Sequence, residues 1–119
     1  MKERKLIIIE TEDYILRECI VDSNGDTTWD VKDTKTGNSF VVHSFSSGKL
    51  YITFFKRCHV TRNCSLNALR KICEILLERN LNPTINIYYK NTDLIKLCCV
   101  IGFRKDKNVK HLYYLKNLK

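Results

Sequence analysis

The sequence predicts an α+β fold, in which a mostly antiparallel sheet is flanked by two helices. Residues 1–58 contain strand-like segments separated by turn signals, whereas residues 59–119 contain two segments with apolar residues at helical spacing. A chain of 119 residues with 44% hydrophobic content can bury one core, and its single proline and four glycines leave little room for a linker. We therefore expect one domain, with a β-meander in residues 1–58 and a strand-helix-strand-helix-strand half in residues 59–119.

The meander is predicted from alternating apolar residues and from three turns. Asn24-Gly25 is a strong hairpin signal because both residues tolerate positive φ, and residues 35–38 and 46–48 supply two further turns. The segments that these turns separate are 6–9, 14–21, 29–32, 40–45 and 50–55. Each is expected to pair antiparallel with the next.

The first helix is predicted over residues 65–80. Ser65 is a suitable N-cap, Asn80 can end the helix, and Pro83 prevents its continuation. The apolar side chains that recur at helical spacing are Leu66, Leu69, Ile72, Cys73 and Leu76. This segment should therefore pack one face on the sheet.

A second, shorter helix is predicted between Asn91 and Gly102, directly after a strand at 85–89. Asn91 or Thr92 can cap its first turn, and Asp93 suits the positive end of the helix dipole. Gly102 can adopt the left-handed conformation that ends a helix. A last strand is predicted at 111–115.

The charge of the chain is strongly asymmetric. Its formal net charge is +8: residues 1–58 hold nine Lys/Arg and nine Asp/Glu, and residues 59–119 hold twelve against four. Such a distribution suits a polyanionic ligand, namely nucleic acid, an anionic surface or the phosphates of a nucleotide-like cofactor. A solvated basic surface is the alternative interpretation.

The sequence also predicts the compartment. No apolar run approaches the ~20 residues that span a bilayer, and the charged N-terminus leads into only four apolar residues. We expect a cytoplasmic protein without membrane association, whose six cysteines are thiols.

Asn91 is followed eleven residues later by Gly102-Phe103, behind a strand and a long helix. This order and spacing resemble the signature N-x-x-A-x-x-x-Y-x-x-x-G-F of the GNAT acetyltransferase superfamily, over residues 51–119. The resemblance implies a GNAT-like fold, acetyl-CoA as cofactor and transfer of an acetyl group to an amine.

The resemblance also implies where the cofactor would lie. In the family, a loop before the long helix holds the CoA pyrophosphate with backbone N–H groups, as helix N-termini do generally. The family residue equivalent to Asn91 lies beside the pantetheine arm, between strands equivalent to 51–57 and 85–89 that diverge around it. The cofactor-binding residues carried over are Phe55, Arg57, Arg62, Asn63, Cys64, Ser65 and Asn91.

Two departures from the family are visible. The loop at 58–65 contains no glycine, so that Asn63 is its best candidate for a left-handed residue. A charge-assisted hydrogen bond from Arg62 to phosphate, ~1.5–3 kcal/mol, could offset one strained position. The two helices that usually shape the acceptor site are not predicted either, so the amine acceptor is unspecified and the meander or the second subunit of a homodimer would complete that site.

Three kinds of side chain, a cysteine, a tyrosine and a histidine, are candidates for proton transfer. Cys98 occupies the position of the family's tyrosine, which is often assigned as the general acid. Packing in the helix is the alternative role for this thiol. Tyr89, or equally Tyr88 or Tyr51, could supply the hydroxyl instead, and His43 could act as a general base if its face of the sheet lines a cleft.

Other kinds of site have weaker support. Cys58, His59 and Cys64 can ligate zinc, but they lack the paired C-x-x-C spacing of structural zinc sites. No phosphate-loop, G-x-S-x-G, H-E-x-x-H or G-x-G-x-x-G motif is present in the sequence.

A catalytically inactive GNAT-like module is the alternative function, in which the basic second half engages nucleic acid or an acidic protein. Aromatic residues interleaved with basic ones favour it, because bases can stack on such a surface. These residues are Tyr88, Tyr89, Tyr113, Tyr114, Lys90, Arg104, Lys105, Lys107 and Lys110. Adjacent tyrosines on a strand point to opposite faces, so we expect at most half of them to share a platform.

Overall fold

The computed structural model describes residues 6–20, 24–53 and 59–119. Within these ranges the strands are β1 (Ile8–Glu10), β2 (Tyr14–Ile20), β3 (Thr27–Asp33), β4 (Ser39–Ser44), β5 (Lys49–Thr53), β6 (Thr84–Asn86), β7 (Phe103–Lys105) and β8 (Leu112–Leu115). The helices are α1 (Arg62–Glu78) and α2 (Thr92–Ile101). The predicted α+β class, with a mostly antiparallel sheet and two helices, is confirmed for the described residues.

All eight strands belong to one open sheet in the order β1-β2-β3-β4-β5-β6-β8-β7. The first five strands form four antiparallel pairs between neighbours in the chain, β1 with β2, β2 with β3, β3 with β4 and β4 with β5. β5 and β6 pair in parallel and are connected through α1, and β8 lies antiparallel between β6 and β7. Among the described strands, β5 and β6 form the one parallel pair.

One face of the sheet and the two helices enclose a single core. Trp29, Val31, Val42 and Leu16 project from the sheet into this core and are fully buried. The helices contribute residues at helical spacing, which are Leu69, Ile72, Cys73 and Leu76 from α1 and Leu94, Leu97, Cys98 and Ile101 from α2. Each large apolar side chain buried in this way contributes ~1.5–3 kcal/mol, which is why the amphipathic pattern identified both helices.

A buried ion pair links the end of α1 to the sheet. Glu18 on β2 is fully buried, and its carboxylate accepts hydrogen bonds from Arg79 Nη1 at 2.7 Å and Nη2 at 3.1 Å. The backbone N–H of Ile7 donates to the same carboxylate at 3.2 Å. The Arg79 guanidinium also lies 5.6 Å from the centre of the Trp29 ring, so that a cation-π contact adds to the pair.

The opposite face of the sheet is more exposed. Paired residues share a face, so Cys19, Thr28, His43 and Tyr51 form one row across β2 to β5. None of the four is buried, and Tyr51 is 59% exposed. The helices therefore lie on one side of the sheet, away from this row.

Several predicted boundaries are wrong. α1 begins at Arg62 rather than at Ser65, and β6 ends at Asn86, three residues before the predicted end at 89. β7 was not predicted, because three residues are too few to show a period. The predicted strand ends at 21 and 55 lie outside the described residues.

Across the described ranges, neither helix has the length and apolar character needed to cross a bilayer.

Candidate functional site

A cleft of about 530 Å³ lies between the first turns of α1 and α2. Small-molecule sites usually have volumes of ~300–1,000 Å³, so the cleft can hold such a ligand. It is lined by His59, Val60, Arg62, Ser65, Asp93, Lys96 and Leu97. Because β5 precedes α1 and β6 precedes α2, the cleft lies beyond the C-terminal ends of the parallel strands, where α/β sheets characteristically bind ligands.

The two parallel strands separate as they approach this end of the sheet. Among the described residues, Lys49 pairs with Thr84 and Leu50 with Ile85. Beyond these residues β5 continues against β4, as far as Thr53, while β6 continues against β8. The facing edges of the two strands can therefore present backbone hydrogen-bonding groups to a ligand between them.

The N-terminus of α1 is capped by Thr61. The Thr61 hydroxyl accepts a hydrogen bond from the Cys64 backbone N–H at 3.2 Å. The predicted cap, Ser65, lies inside the helix, where its hydroxyl donates to the Thr61 carbonyl at 3.2 Å. The prediction was wrong because Thr and Ser are both good caps, and tertiary structure selected the earlier one.

Asp33, at the end of β3, selects that cap. Its buried carboxylate accepts from the Thr61 backbone N–H at 2.6 Å and from the N–H groups of Lys35 and Thr36 at 2.8 and 3.3 Å. Burial alone would raise the pKa of Asp33, but these hydrogen bonds outweigh it and lower the pKa. An ionised carboxylate therefore fixes the start of α1 to the sheet.

The first turn of α1 offers donors to an anion. In the part of the chain that the structure describes, no acceptor is bonded to the backbone N–H groups of Arg62 and Asn63, as is usual for the first positions of a helix. Both residues are exposed, and Arg62 lines the cleft together with exposed Lys96 from α2. Two cationic side chains, a helix N-terminus and the Asp93 carboxylate thus meet at one cleft. The two cations outnumber the single carboxylate, and the helix N-terminus also favours negative charge, so the arrangement suits phosphate.

The backbone just before α1 is strained at His59, which lines the cleft with φ of 49°. The sequence pointed instead to Asn63 as the left-handed residue of this loop, but Asn63 is helical. The Asn38 side chain donates to the His59 carbonyl at 3.2 Å and helps to hold this conformation. Left-handed conformations of ordinary residues cost ~1–2 kcal/mol and often occur at functional sites.

The second helix begins as predicted. The Asn91 side chain accepts from the Leu94 backbone N–H at 3.4 Å, and Asp93 lies in the first turn. Gly102 ends the helix with φ of 126°. The capping role of Asn91 is thus confirmed, while a cofactor-binding role for it stays a prediction.

Two predicted site thiols are buried. Cys64 and Cys98 are both inaccessible to solvent. Burial, reinforced by the carboxylates of Asp33 and Asp13, raises the pKa of Cys64 to about 12, and burial raises that of Cys98 to about 12. Both groups are therefore neutral packing residues in this structure, and neither lines the cleft.

The remaining candidates for proton transfer lie at different places. Tyr89 is 59% exposed, precedes the cap of α2 by two residues and is not among the residues that line the cleft. His43 lies on the opposite face of the sheet, where its Nδ1 is 3.3 Å from the Thr28 hydroxyl and its ring 6.1 Å from that of Tyr51. His43 is thus on the other face of the sheet from buried Cys98, whereas Tyr89 is exposed.

Three residues of the predicted sites fall outside the ranges that the structure describes. Phe55, Arg57 and Cys58 lie outside the described residues. Of the candidate zinc ligands, His59 therefore lines the cleft and Cys64 is buried in the core.

Sequence reasoning missed the contribution of Lys96 and the cleft-lining position of His59. Lys96 occurs on the polar side of an amphipathic helix, where a lysine is ordinary, so nothing local distinguished it. Lys96 could be identified only from long-range information, because the packing of α1 beside α2 is what places it in the same cleft as Arg62.

Comparison of the chain with protein-family models, with curated proteins and with solved structures gave no significant match.

Proposed function

We propose that this protein binds an acyl-CoA in the cleft between α1 and α2 and transfers its acyl group, an acetyl group, to an amine. The observation that carries the proposal is the convergence on one cleft of Arg62, Lys96 and the first turn of α1, where the N–H groups of Arg62 and Asn63 have no acceptor among the described residues. Phosphates bind at such helix N-termini, because unpaired donors and the helix dipole both favour negative charge.

The separation of β5 and β6 supports binding of the pantetheine arm of CoA between these strands. The pantetheine arm of CoA contains two amides, and extended amide chains bind by hydrogen bonding to free strand edges. Edges of this kind begin after Leu50 and Ile85, beside the cleft. Together with the spacing of Asn91, Gly102 and Phe103, this arrangement favours a GNAT-like scaffold with an N-terminal β-meander.

The chemistry would be direct transfer. The amine nitrogen forms a bond to the thioester carbonyl carbon, the carbon-sulfur bond breaks, and the leaving thiolate takes a proton while the new ammonium loses one. The protein's main contribution is to hold amine and thioester in line. Tyr89 is the proposed proton donor to the thiolate, since it is exposed beside Asn91 whereas Cys98 is buried.

The proposal is tested by calorimetric titration of the protein with acetyl-CoA. Arg62→Ala and Lys96→Ala should each weaken binding about tenfold or more, because a hydrogen bond to a charged group contributes ~1.5–3 kcal/mol. Arg104→Ala is the matched control, since it removes an exposed arginine on β7 that does not line the cleft.

Absence of binding at millimolar acetyl-CoA would refute the proposal. Equal weakening by all three substitutions would also count against it, because only a general electrostatic attraction would remain. If binding is present, incubation of the complex with a panel of primary amines and mass spectrometry of the products identifies the acceptor.

A further inference from the structure

Three aromatic rings form an exposed cluster at the end of the sheet. Tyr88 and Tyr89 follow β6, and His111 precedes β8. The ring centres of Tyr88 and Tyr89 are 4.7 Å apart, and His111 lies 5.6 Å from Tyr88 and 6.3 Å from Tyr89. All three distances are those of aromatic rings in contact. We call these three residues the aromatic cluster.

The expectation that adjacent tyrosines face opposite sides of a strand does not apply to Tyr88 and Tyr89. β6 ends at Asn86, so both tyrosines lie beyond the strand and their rings can meet. By contrast, Tyr113 on β8 is only 8% exposed, and Ile85 and Ile87 are 2% exposed. This segment therefore buries its isoleucines and leaves two tyrosine rings at the surface.

The backbone holds the aromatic cluster in place. The Ile87 N–H donates to the His111 carbonyl at 2.8 Å, and the Asn91 N–H donates to the Tyr88 carbonyl at 2.9 Å. His111 has φ of 64°, a left-handed conformation that few residues other than glycine adopt. A cluster fixed in this way loses little conformational entropy when a ligand stacks on it.

The cluster contributes little to the core. Tyr88 is 56% exposed and Tyr89 is 59% exposed, so more than half of each side chain remains in contact with water. Large exposed aromatic groups in mutual contact are characteristic of binding surfaces rather than of packing.

One lysine lies beside the aromatic cluster, and further exposed basic residues precede His111 in the chain. Lys90 Nζ lies 5.9 Å from the centre of the Tyr89 ring. The exposed basic residues of β7 and of the loop that leads to His111 are Arg104, Lys105, Lys107 and Lys110. Asp106 is the one acidic residue in residues 103–119, and its carboxylate already accepts from the N–H groups of Asn108 and Val109.

Exposed aromatic rings next to a lysine favour one class of ligand. Surfaces that bind quaternary ammonium groups need aromatic rings without competing cations, and the lysine here would repel such ligands. Nucleobases stack on aromatic rings and their phosphates attract lysines, so both components of the surface are used together. A duplex hides the faces of its bases, which leaves a single strand as the fitting form.

We propose that the aromatic cluster and the lysine beside it bind single-stranded nucleic acid, with bases stacked on Tyr88 and Tyr89 and phosphates near Lys90. This binding does not depend on acyl transfer in the cleft. It would allow the protein to associate with RNA or single-stranded DNA whether or not the cleft is occupied.

The test measures fluorescence anisotropy of labelled oligo(dT) and oligo(U) with the full chain at low salt. Replacing both tyrosines, Tyr88→Leu and Tyr89→Leu, should weaken binding about tenfold or more, since each stacked base contributes ~1–3 kcal/mol. Leucine keeps apolar bulk at these exposed positions, so the fold should be retained. Tyr51→Leu is the matched control, because Tyr51 is also 59% exposed but lies elsewhere on the sheet.

Salt dependence separates stacking from phosphate contact. Lys90→Gln should reduce the slope of log affinity against log salt by about one while leaving sequence preference unchanged. A duplex of equal length and poly-glutamate serve as the other arms of the experiment, and both should bind more weakly than either single strand.

Equal affinity for poly-glutamate, duplex and single strand, unchanged by the tyrosine substitutions, would overturn the proposal and leave a merely basic surface. Absence of binding to both oligonucleotides at low salt would overturn it as well. The residues that line the cleft are unchanged in these variants, so acetyl-CoA titration of the same proteins distinguishes this outcome from failure of the proposed cofactor binding. Tyr89 is the proposed proton donor, so acyl transfer is compared between wild type and the single variant Tyr88→Leu, which keeps Tyr89.

Discussion

At the scale of single residues, Asp33 positions the start of α1, which forms one side of the candidate site. Its carboxylate accepts three backbone hydrogen bonds and connects the end of β3 to the cap of α1. No residue of the cleft itself lies on β3, so this influence acts through the position of Thr61. Loss of this carboxylate should therefore lower the stability of the protein.

Asp33→Asn should destabilise the protein by ~1–3 kcal/mol, because the amide NH₂ would face backbone donors that now have no acceptor. Urea unfolding at neutral pH measures the effect. Asp30→Asn makes the same change on the same strand at an exposed position, and should alter stability by less than ~0.5 kcal/mol. Equal stabilities for the two variants would show that the Asp33 carboxylate does not hold α1.

The lowered pKa of Asp33 also predicts a pH dependence. Below its ordinary pKa of 3.8 the unfolded chain binds a proton at this position while the folded chain does not, so the stability from this group falls as pH decreases. The contribution is complete above that value and is lost as pH falls through the folded pKa. Unfolding of wild type and Asp33→Asn at neutral pH and at about pH 3 should show the difference shrinking at acidic pH. A constant difference would contradict the lowered pKa.

Single residues were predictable where their neighbours in sequence determine their role. Asn91 and Gly102 cap α2 with local hydrogen bonds and local backbone angles, and both were identified. Asp33 and Lys96 act across long sequence distances, Asp33 on Thr61 and Lys96 opposite Arg62. No local pattern contains that information, so these residues appeared ordinary in the sequence.

At the scale of elements, the end of α2 sets the path into β7. Gly102 has φ of 126°, and a Cβ built on it would collide with the backbone carbonyl of Asn117. Gly37 has φ of 78° but open space around the corresponding position. The two glycines therefore share a conformational requirement and differ in steric room.

Gly37→Ala should cost about 1–2 kcal/mol, the usual cost of a left-handed non-glycine residue. Gly102→Ala should cost clearly more, because the 117–119 segment must also move away. Thermal unfolding of both variants makes the comparison. A Gly102→Ala protein as stable as Gly37→Ala would mean that this close approach does not constrain the native state.

The ion pair between Arg79, at the C-terminal end of α1, and Glu18 should stabilise the protein. Arg79→Met should destabilise the protein by ~3–5 kcal/mol, because it leaves the fully buried Glu18 carboxylate without its main partner. Adding Glu18→Gln should recover part of the loss, since the buried charge is then absent while a side-chain oxygen remains for Ile7 N–H. Chemical denaturation of the single and double variants forms the test, and additive losses would contradict this account.

Element prediction succeeded where a periodic pattern was long. α1 shows helical spacing over several turns, so its existence was clear although its start was misplaced by three residues. β7 has three residues, and β6 has three where five were predicted. Such short strands are defined by their partners on β8 rather than by their own sequence.

At the scale of the whole molecule, the second half of the chain forms two separate sites with basic residues. The cleft lies between the helices, and the aromatic cluster lies at the junction of β6 and β8. Composition predicted the excess of positive charge in this half but not its division between a cleft and an exposed surface. That division depends on the order of β5, β6, β8 and β7, which no single segment encodes.

The most direct test of the central claim is a heteronuclear NMR titration of the 119-residue chain with acetyl-CoA, alongside one with a short oligo(dT). Acetyl-CoA should shift the backbone amides of Arg62, Asn63, Ser65 and Lys96, at the N-terminal turns of the two helices, and oligo(dT) should instead shift those of Tyr88, Tyr89 and His111. Saturating acetyl-CoA that leaves the amides of Arg62 and Asn63 unmoved would contradict the account, because the cleft would then not be its binding site.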